Sequence, residues 1–422
     1  MKIAALILFI LMYVVMIAKP RFRVIAVWVT AALFLILRIL PLSQLGGAID
    51  WNVILMMAGT MVLVYYFILS KMPNRIADQL LDKSKNVMWV TIYMSLFAGI
   101  ISAFIDNTAT VIMVAPVALA LCRKLGISPV PMVLSIAVSS NLQGAATLVG
   151  DTTSIMLGAY AKMDFTDFFW LNGKPGIFFA VELGALATVP VMMYLFRRDK
   201  QPVKVDVMTE VQDYFPSYML IGMVVSLIAA SFFKNKPAIT NGVLCCLFAV
   251  VTIIYTHLRT HERKHVRLAL QSIDFQTLLQ LAGLFIVIAG ITEAGIIDDF
   301  ASGIMKAGGN NLFLLYTIIV WGSVAISAFV DNIPYVATML PVVKMVTMSM
   351  GIEPYLLYFG LLCGATLGGN LTPVGASANI AACGLLRQNG FEVSFKDFVR
   401  IGVPFTLVAV LAGYLFLWIT LA

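Results

Sequence analysis

Two Asp-Asn pairs, Asp106-Asn107 and Asp331-Asn332, stand in the middle of the apolar runs 88–122 and 312–350, and a third acid, Asp151, interrupts the apolar run 130–161. A carboxylate at mid-membrane costs ~2.5–3.5 kcal/mol even on a lenient insertion scale, so it calls for a bound cation, a proton or a water-filled cavity. Oxygen-bearing residues and glycines surround these acids. Thr108 follows the first pair, Gly150-Asp151-Thr152-Thr153-Ser154 forms one break, and "NLTPVGASAN" (370–379) forms another. Carbonyls freed at a break, together with a carboxylate, suit a hard cation such as Na⁺, which needs several oxygens and little charge. Helix N-termini beginning after Gly150 and Gly375 present N–H groups that favour an anion or a polar oxygen.

The expected coupling-ion ligands are therefore Asp106, Asn107, Thr108, Gly150, Asp151, Asp331, Asn332 and Gly375, with Na⁺ or H⁺ as the ion and Asp106, Asn107, Asp331 and Asn332 as its main holders. The expected substrate ligands are Asn141, Thr147, Thr152, Thr153, Ser154, Asn370, Thr372, Ser377 and Asn379. In this reading Gly150 and Gly375 allow the backbone to turn, and Pro373 removes a helical donor. Asp106 and Asp331 are equally well placed to N-cap the helices that follow them, and a capping Asp still has a lone pair for an ion. Asp151 serves either coupling or structural hydrogen bonding. Glu182 is expected to support the cavity from behind, and Glu293 to sit at the outer interface. Lys344 has three readings: a pair with Asp331, attraction of an anion, or snorkelling. His257, His261 and His265 are four residues apart and share a face if their helix continues, as a metal or pH site needs. Arg259, Arg263, Lys264 and Arg267 around them repel a cation.

The elements that must position these residues are helices in lipid. Of the 422 residues 61% are hydrophobic and only 12% charged, with a mean hydropathy of +0.96. A soluble chain has roughly 45–50% and about 25%, so a soluble enzyme or a nucleic-acid binder is excluded. No nucleophile, His and acid converge as in an intramembrane enzyme, and no GxxxxGK[ST] cradle is present, so neither catalysis, a cofactor nor ATP drive is expected. Cys122, Cys245, Cys246, Cys363 and Cys383 lie in apolar runs without CxxC spacing and read as packing residues. Apolar stretches of spanning length lie near 2–18, 23–40, 51–70, 175–196, 217–233, 238–257, 275–294 and 399–421. The first is followed by Lys19-Pro-Arg-Phe-Arg23 rather than a small-residue cleavage site, so it reads as a retained helix. Runs 130–161 and 355–386 are too long to cross as single helices, at 1.5 Å per residue, and must break.

If 88–122 and 312–350 are hairpins that enter and leave on one side, a single face collects about 20 of the 28 basic residues, including Arg23, Lys71, Arg123, Arg197, Lys204 and Arg263. About six lie in the opposite loops. The bias makes that face cytoplasmic and puts both termini outside. An internal repeat strengthens the pattern. "ISAFIDNTATVIMVAP" (101–116) aligns with "ISAFVDNIPYVATMLP" (326–341), and the match runs without a gap at an offset of 225 residues to Ile155 and Ile380, with 18 of 55 positions identical. Upstream, Asp50-Trp51 pairs with Asp274-Phe275 and Ala58-Gly59 with Ala282-Gly283; downstream, "FTDF" (165–168) pairs with "FKDF" (395–398). The first Asp is then reached from the cytoplasm and the second from outside, so the halves are inverted. The expected layout is a first repeat at 1–196, a cytoplasmic linker at 197–216 and a second repeat at 217–422. The segments 162–170 and 391–399, which mix aromatics and acids, are expected to lie flat as interfacial helices. The fold class is an all-α polytopic membrane protein of two inverted repeats, each with a re-entrant helical hairpin and a broken transmembrane helix. Secondary transporters are built in this way, with sites at the midplane.

On "SAFIDNTATVIMVAPVALALCRKLG", "GAATLVGDTTSIMLG" and "GATLGGNLTPVGASANI", the sequence resembles the ion transporter superfamily, in the citrate transporter-like branch of arsenite permeases, NhaD-type antiporters and P-protein-like permeases. In the related dicarboxylate/sodium symporters the hairpin tips read Ser-Asn-Thr and bind sodium; they align here with Asp106-Asn107-Thr108 and Asp331-Asn332-Ile333. P-protein-like permeases show Gly-Asp-Pro-Pro-Asn where this chain has Gly150-Asp151-Thr152-Thr153-Ser154. The resemblance implies a homodimer with a scaffold and a moving part, working as an elevator in a bacterial or archaeal inner membrane. The functional expectation is a secondary active transporter for a small inorganic or organic anion or arsenite/antimonite, coupled to Na⁺ or H⁺. A Na⁺/H⁺ antiporter is the alternative within transport, and an ion channel the alternative outside it.

Overall fold

The computed structural model describes residues 1–203, 208–233 and 235–422; Lys204, counted above among the cytoplasmic basic residues, lies outside them. The first half comprises α1 (Lys2–Ala18), α2 (Arg23–Ile36), α3 (Leu45–Ala48), α4 (Trp51–Leu69), α5 (Met72–Asp82), α6 (Val87–Ser102), α7 (Asn107–Leu125), α8 (Val130–Gln143), α9 (Thr152–Ala161) and α10 (Ile177–Leu195). The second comprises α11 (Phe215–Ser231), α12 (Thr240–Thr260), α13 (Arg263–Gln271), α14 (Phe275–Glu293), α15 (Ile296–Gly308), α16 (Leu312–Ser327), α17 (Asn332–Met350), α18 (Tyr355–Gly368), α19 (Ser377–Gln388) and α20 (Phe395–Leu421). Seven helices of the described residues are long and apolar enough to cross a membrane.

The same residue types start and stop the elements of both halves. Asp50 and Asp274 cap α4 and α14 by accepting from Val53 N and Thr277 N at 3.2 and 3.1 Å. Asn86 and Asn311 cap α6 and α16 in the same way, each at 3.1 Å. Asp106 and Asp331 cap the returning arms α7 and α17. Those arms end at Gly126 and Gly351, both at φ 66°, a left-handed conformation that a glycine adopts without strain. Each hairpin is thus bounded by Asn, Asp and Gly at matching places. Its 16-residue outward arm spans only about 24 Å at 1.5 Å per residue, too short to cross.

The helices sort into two groups. α1, α2, α4, α11, α12 and α14 form a framework in which α4 packs along α12 and α2 along α14. Gly59 sets the first crossing, where a Cβ would fall 2.5 Å from the Cys245 carbonyl carbon, and Gly283 sets the second, where it would fall 2.7 Å from Val27. The repeated Ala-Gly steps are therefore points of close helix approach. The other group, α6 to α10 and α16 to α20, carries both hairpins and both breaks, with α6 against α8, α16 against α18, and α10 against α20.

Three expectations are corrected. The segment 162–170 is not a flat helix: a short 3₁₀ turn over Phe165–Phe168 leads into the two-residue strands β1 (Trp170–Leu171) and β2 (Lys174–Pro175), closed by Asn172 and Gly173 at φ 50° and 80°. Adjacent positive φ values at Asn-Gly make a tight hairpin turn that a helix cannot contain. Segment 391–399 is not a separate helix either, because a Ser394–Asp397 capping box starts α20 there and the helix runs on for 27 residues. The amphipathic helices are instead α5 and α15, which precede the two hairpins and bury Pro73, Ala77 and Leu81 in one case and Ile296, Ile297 and Ala301 in the other, together with α13. Finally, the three histidines do not share one helix face. His261, at φ 54°, ends α12 and separates His257 from His265 in α13.

Gly59→Leu is expected to force α4 and α12 apart and cost ~1–3 kcal/mol through overpacking. Its melting temperature in detergent should fall clearly below that of Gly322→Ala, whose added Cβ meets nothing within 4 Å.

Candidate transport site

Each break is sealed by the hairpin of its own half. Thr147 donates its hydroxyl to Ala103 O at the first tip, and Thr372 donates to Ala328 O at the second, at 2.5 Å. Gly150 and Gly375 serve this closure through their size. Neither has positive φ; a Cβ on Gly150 would fall 2.6–2.7 Å from the carbonyl oxygens of Gly144, Ala103 and Ser102, and one on Gly375 2.6–2.9 Å from those of Gly369, Ser327 and Ala328. The expectation that these glycines permit a turn is thus replaced by one of close backbone approach, with three carbonyl oxygens gathered at each.

Polar side chains then join the halves. Asn107 Oδ1 accepts from Ser102 Oγ at 2.9 Å, and its amide donates to Asn141 Oδ1 at 3.1 Å. Asn141 in turn donates to Thr366 O at 2.7 Å and Asn370 Oδ1 at 3.0 Å, and Asn370 donates to Val138 O at 2.9 Å. Asp151 Oδ2 accepts from Thr153 at 2.8 Å and from Asn332 at 3.3 Å, so an acid of the first break meets the second hairpin tip. Asp106 accepts from the amides of Thr108 and Ala109, at 3.0 and 3.1 Å, as the N-cap reading requires. Asp331 accepts from Ile333 N at 3.2 Å and from Arg23 of the framework at 3.1 Å.

Part of this set borders one cavity of about 430 Å³ between the two groups, whereas Asp331, Gly150 and Gly375 are not among its lining residues. Asp106, Asn107, Thr108, Asn141, Asp151, Thr152, Asn332 and Ser377 line it from the site-bearing group. Thr60 and Tyr65 of α4, Asp274 and Gln280 of α14, and Arg23 line it from the framework. Thr147, Thr153, Ser154, Asn370, Thr372 and Asn379 are buried behind this surface. Ser154 donates to Gly144 O at 3.4 Å, and Asn379 donates to Gly369 O at 3.0 Å and to Thr372 O at 3.3 Å. Of the other candidates, Glu182 is not among the cavity's lining residues, Glu293 is exposed at the end of α14, and Lys344 lies over the Tyr160 ring at 5.7 Å instead of pairing with Asp331.

Sequence reasoning overlooked Ser102, Ser140, Ser327 and Thr366. Ser102 and Ser327 are identical positions of the repeat, and that signal marked them. Arg23 and Gln280 carried no comparable mark, since each lies outside the aligned core.

A fold of this kind, with hairpins and broken helices meeting at a cavity between two helix groups, defines an integral membrane transporter. The model of the citrate transporter family matches residues 11–364, and the chain belongs to that family. An uncharacterised transporter of Mycobacterium tuberculosis is 30% identical over 99% of this chain and 98% of its own length. The human P protein is 24% identical over 87% of this chain, which spans 53% of that protein. Among solved structures, the YdaH transporter of Alcanivorax borkumensis aligns with a TM-score of 0.61 at 12% identity, over 89% of this chain and 87% of that one, a likeness of fold. The family and the Mycobacterium and Alcanivorax proteins are transporters, not enzymes.

Asn141→Ala should cut the junction between the halves, leaving the Asn107 amide and Asn370 Oδ1 without their partner at about 1–3 kcal/mol for each unsatisfied group. A lower melting temperature together with lost transport is expected; an unchanged melting curve would show that the junction does not hold the site together.

Proposed function

We infer that the protein is a secondary active transporter that moves a small inorganic or organic anion or arsenite/antimonite, coupled to Na⁺ or H⁺. The observation that carries this reading is the convergence of both hairpin tips on one cavity lined by Asp106, Asp151 and Asn332. Asp106 and Asp331 hold coupling cations with the adjoining Asn107 and Asn332, and the carbonyls gathered at Gly150 and Gly375 supply further oxygens. Coupling follows from charge. An anion does not enter a cavity bordered by unneutralised carboxylates, because repulsion inside a partly dry site far exceeds its value in water. Cation or proton binding at the tips therefore precedes solute binding, and Thr152, Ser377 and Asn141 meet the solute by hydrogen bonding. A neutral solute such as arsenous acid faces no such barrier, and its hydroxyls match the same groups. The site-bearing group then moves against the framework as an elevator, with α5 and α15 as its arms. The homodimer implied by the resemblance belongs to this reading.

One observation favours Na⁺/H⁺ antiport as a second reading. Among the described residues Arg23 is the basic residue that lines the cavity, and it is already engaged by Asp331, so the described surface offers acids without a free cationic partner.

The test is thermal stability of the purified protein in choline, Na⁺ and Li⁺, at pH 6 and 8, with Asp106→Asn and Asp151→Asn. A ligand at 100 times its Kd stabilises the native state by about 2.7 kcal/mol. Saturable stabilisation by Na⁺ that is lost in Asp106→Asn supports sodium coupling. A pH effect without a Na⁺ effect, lost in the variants, directs the first flux assay in proteoliposomes to proton-coupled arsenite or antimonite. Stability indifferent to cations and pH in every variant overturns the coupling site.

A further inference from the structure

Among the described residues, two part-buried ion pairs join the framework side to the hairpin-bearing group from similar places, while the more exposed Lys2–Asp299 pair, at 2.7 Å, joins α1 to the arm α15. Arg23 lies five residues beyond the end of α1, and Lys236 five residues beyond the end of α11, the helices that open the two halves. Arg23 Nη1 pairs with Asp331 at the second hairpin tip at 3.1 Å. Next to it, Tyr13 Oη of α1 donates to Pro334 O at 2.7 Å. Lys236 pairs with Asp164, in the connection after the first broken helix, and donates to Ala230 O at 3.0 Å, which ties it to its own half. All four charged side chains are between one-sixth and one-third exposed.

The repeat says what the inverted arrangement of these contacts is. Asp331 corresponds to Asp106, and Asp164, just before "FTDF", corresponds to Ser394, just before "FKDF". Exchanging the roles of the halves turns Arg23–Asp331 into Lys236–Asp106, and Lys236–Asp164 into Arg23–Ser394. In an inverted-repeat carrier that exchange is how the opposite-facing state is built.

We propose that Arg23 and Lys236 are alternating latches: Arg23 holds Asp331 and Lys236 holds Asp164 in the state seen here, and Lys236 takes Asp106 after the site-bearing group has moved. This rests on the elevator reading above. The exchange is unequal, because Ser394 offers Arg23 no charge. Of these two latches both are ion pairs in the present state and only one keeps a charged partner in the other, so the unloaded carrier rests as seen here. A cation at the second tip also has to share the Asp331 carboxylate with the Arg23 guanidinium, and the two repel. Binding there releases the latch, which ties loading to movement. Asp106, with backbone amides as its hydrogen-bond partners among the described residues, is free to receive the first cation.

The latch is tested by spin-label distances between the exposed positions Thr260 of the framework and Gln388 of the site-bearing group, in a cysteine-free background, in choline and in Na⁺. Arg23→Gln and Asp164→Asn each remove one pair from the present state only, and each is expected to raise the second-state population about two- to five-fold, the range for a partly exposed ion pair. Arg23→Lys should restore the wild-type distribution. Arg23→Gln should also lower the Na⁺ concentration needed for half-maximal thermal stabilisation. Unchanged distributions in both variants, with the Na⁺ response intact, overturn the latch and leave the transport reading standing. One distance in every sample, with or without Na⁺, overturns the elevator reading and the latch with it.

Discussion

A helix interrupted inside hydrocarbon exposes backbone groups that no lipid can satisfy, and the whole site follows from how this chain satisfies them. It brings a second interruption alongside the first. The turn of each hairpin is laid against the break of its own half, where one threonine hydroxyl, Thr147 or Thr372, caps a carbonyl of the turn. That contact requires backbone to touch backbone, which is why the breaks carry Gly150 and Gly375 at the point of closest approach. Carbonyl oxygens are gathered there as a by-product of packing, and the acidic N-caps of the returning helices stand beside them. The atoms proposed to hold the coupling cation are those that solve the backbone problem.

This explains what was legible in the sequence. Hairpins and breaks are visible because their polar residues have no business in lipid unless they serve such a closure, and because the repeat states each of them twice. The caps Asp50 and Asp274 and the crossings at Gly59 and Gly283 were marked by pairing in the alignment. What escaped is what depends on tertiary distance. Arg23 reads as one more basic loop residue, and only the fold carries it to Asp331. The segments before α10 and α20 share a four-residue pattern, yet Asn172-Gly173 turns one into a hairpin while Ser394 and Asp397 cap the other into a long helix. Local turn chemistry decided there against composition. The histidine spacing failed for the same reason, since periodicity has meaning only while the helix continues.

Some departures from the repeat fall at the cavity and its junction, although Asp106/Asp331, Asn107/Asn332 and Thr147/Thr372 are shared. Asn141 faces Thr366 across the pseudo-symmetry, Asp151 faces Ala376, Thr153 faces Ala378 and Thr108 faces Ile333. The framework positions Asp50/Asp274 and Gly59/Gly283 keep their identity. The inverted copies share the hairpin tips and the closures at the breaks, and differ at these side chains around them. The unequal residues are also the ones that bond between halves, as Asp151 does with Asn332 and Asn141 with Asn370.

Those bonds bear on what can move. The two hairpins and two broken helices are joined by buried hydrogen bonds whose separation would leave amides and carboxylates unpaired, at about 1–3 kcal/mol for each neutral group and more for a charged one. The contacts between this group and the framework are of another kind. α14 meets α17 and α4 meets α9, faces that are mostly apolar, and the charges that cross the boundary are part-exposed. Apolar faces slide with little loss so long as equivalent faces replace them, and an inverted repeat supplies such faces in the other state. Separation is therefore costlier within the site than between the groups, and the proposed elevator movement rests on that difference.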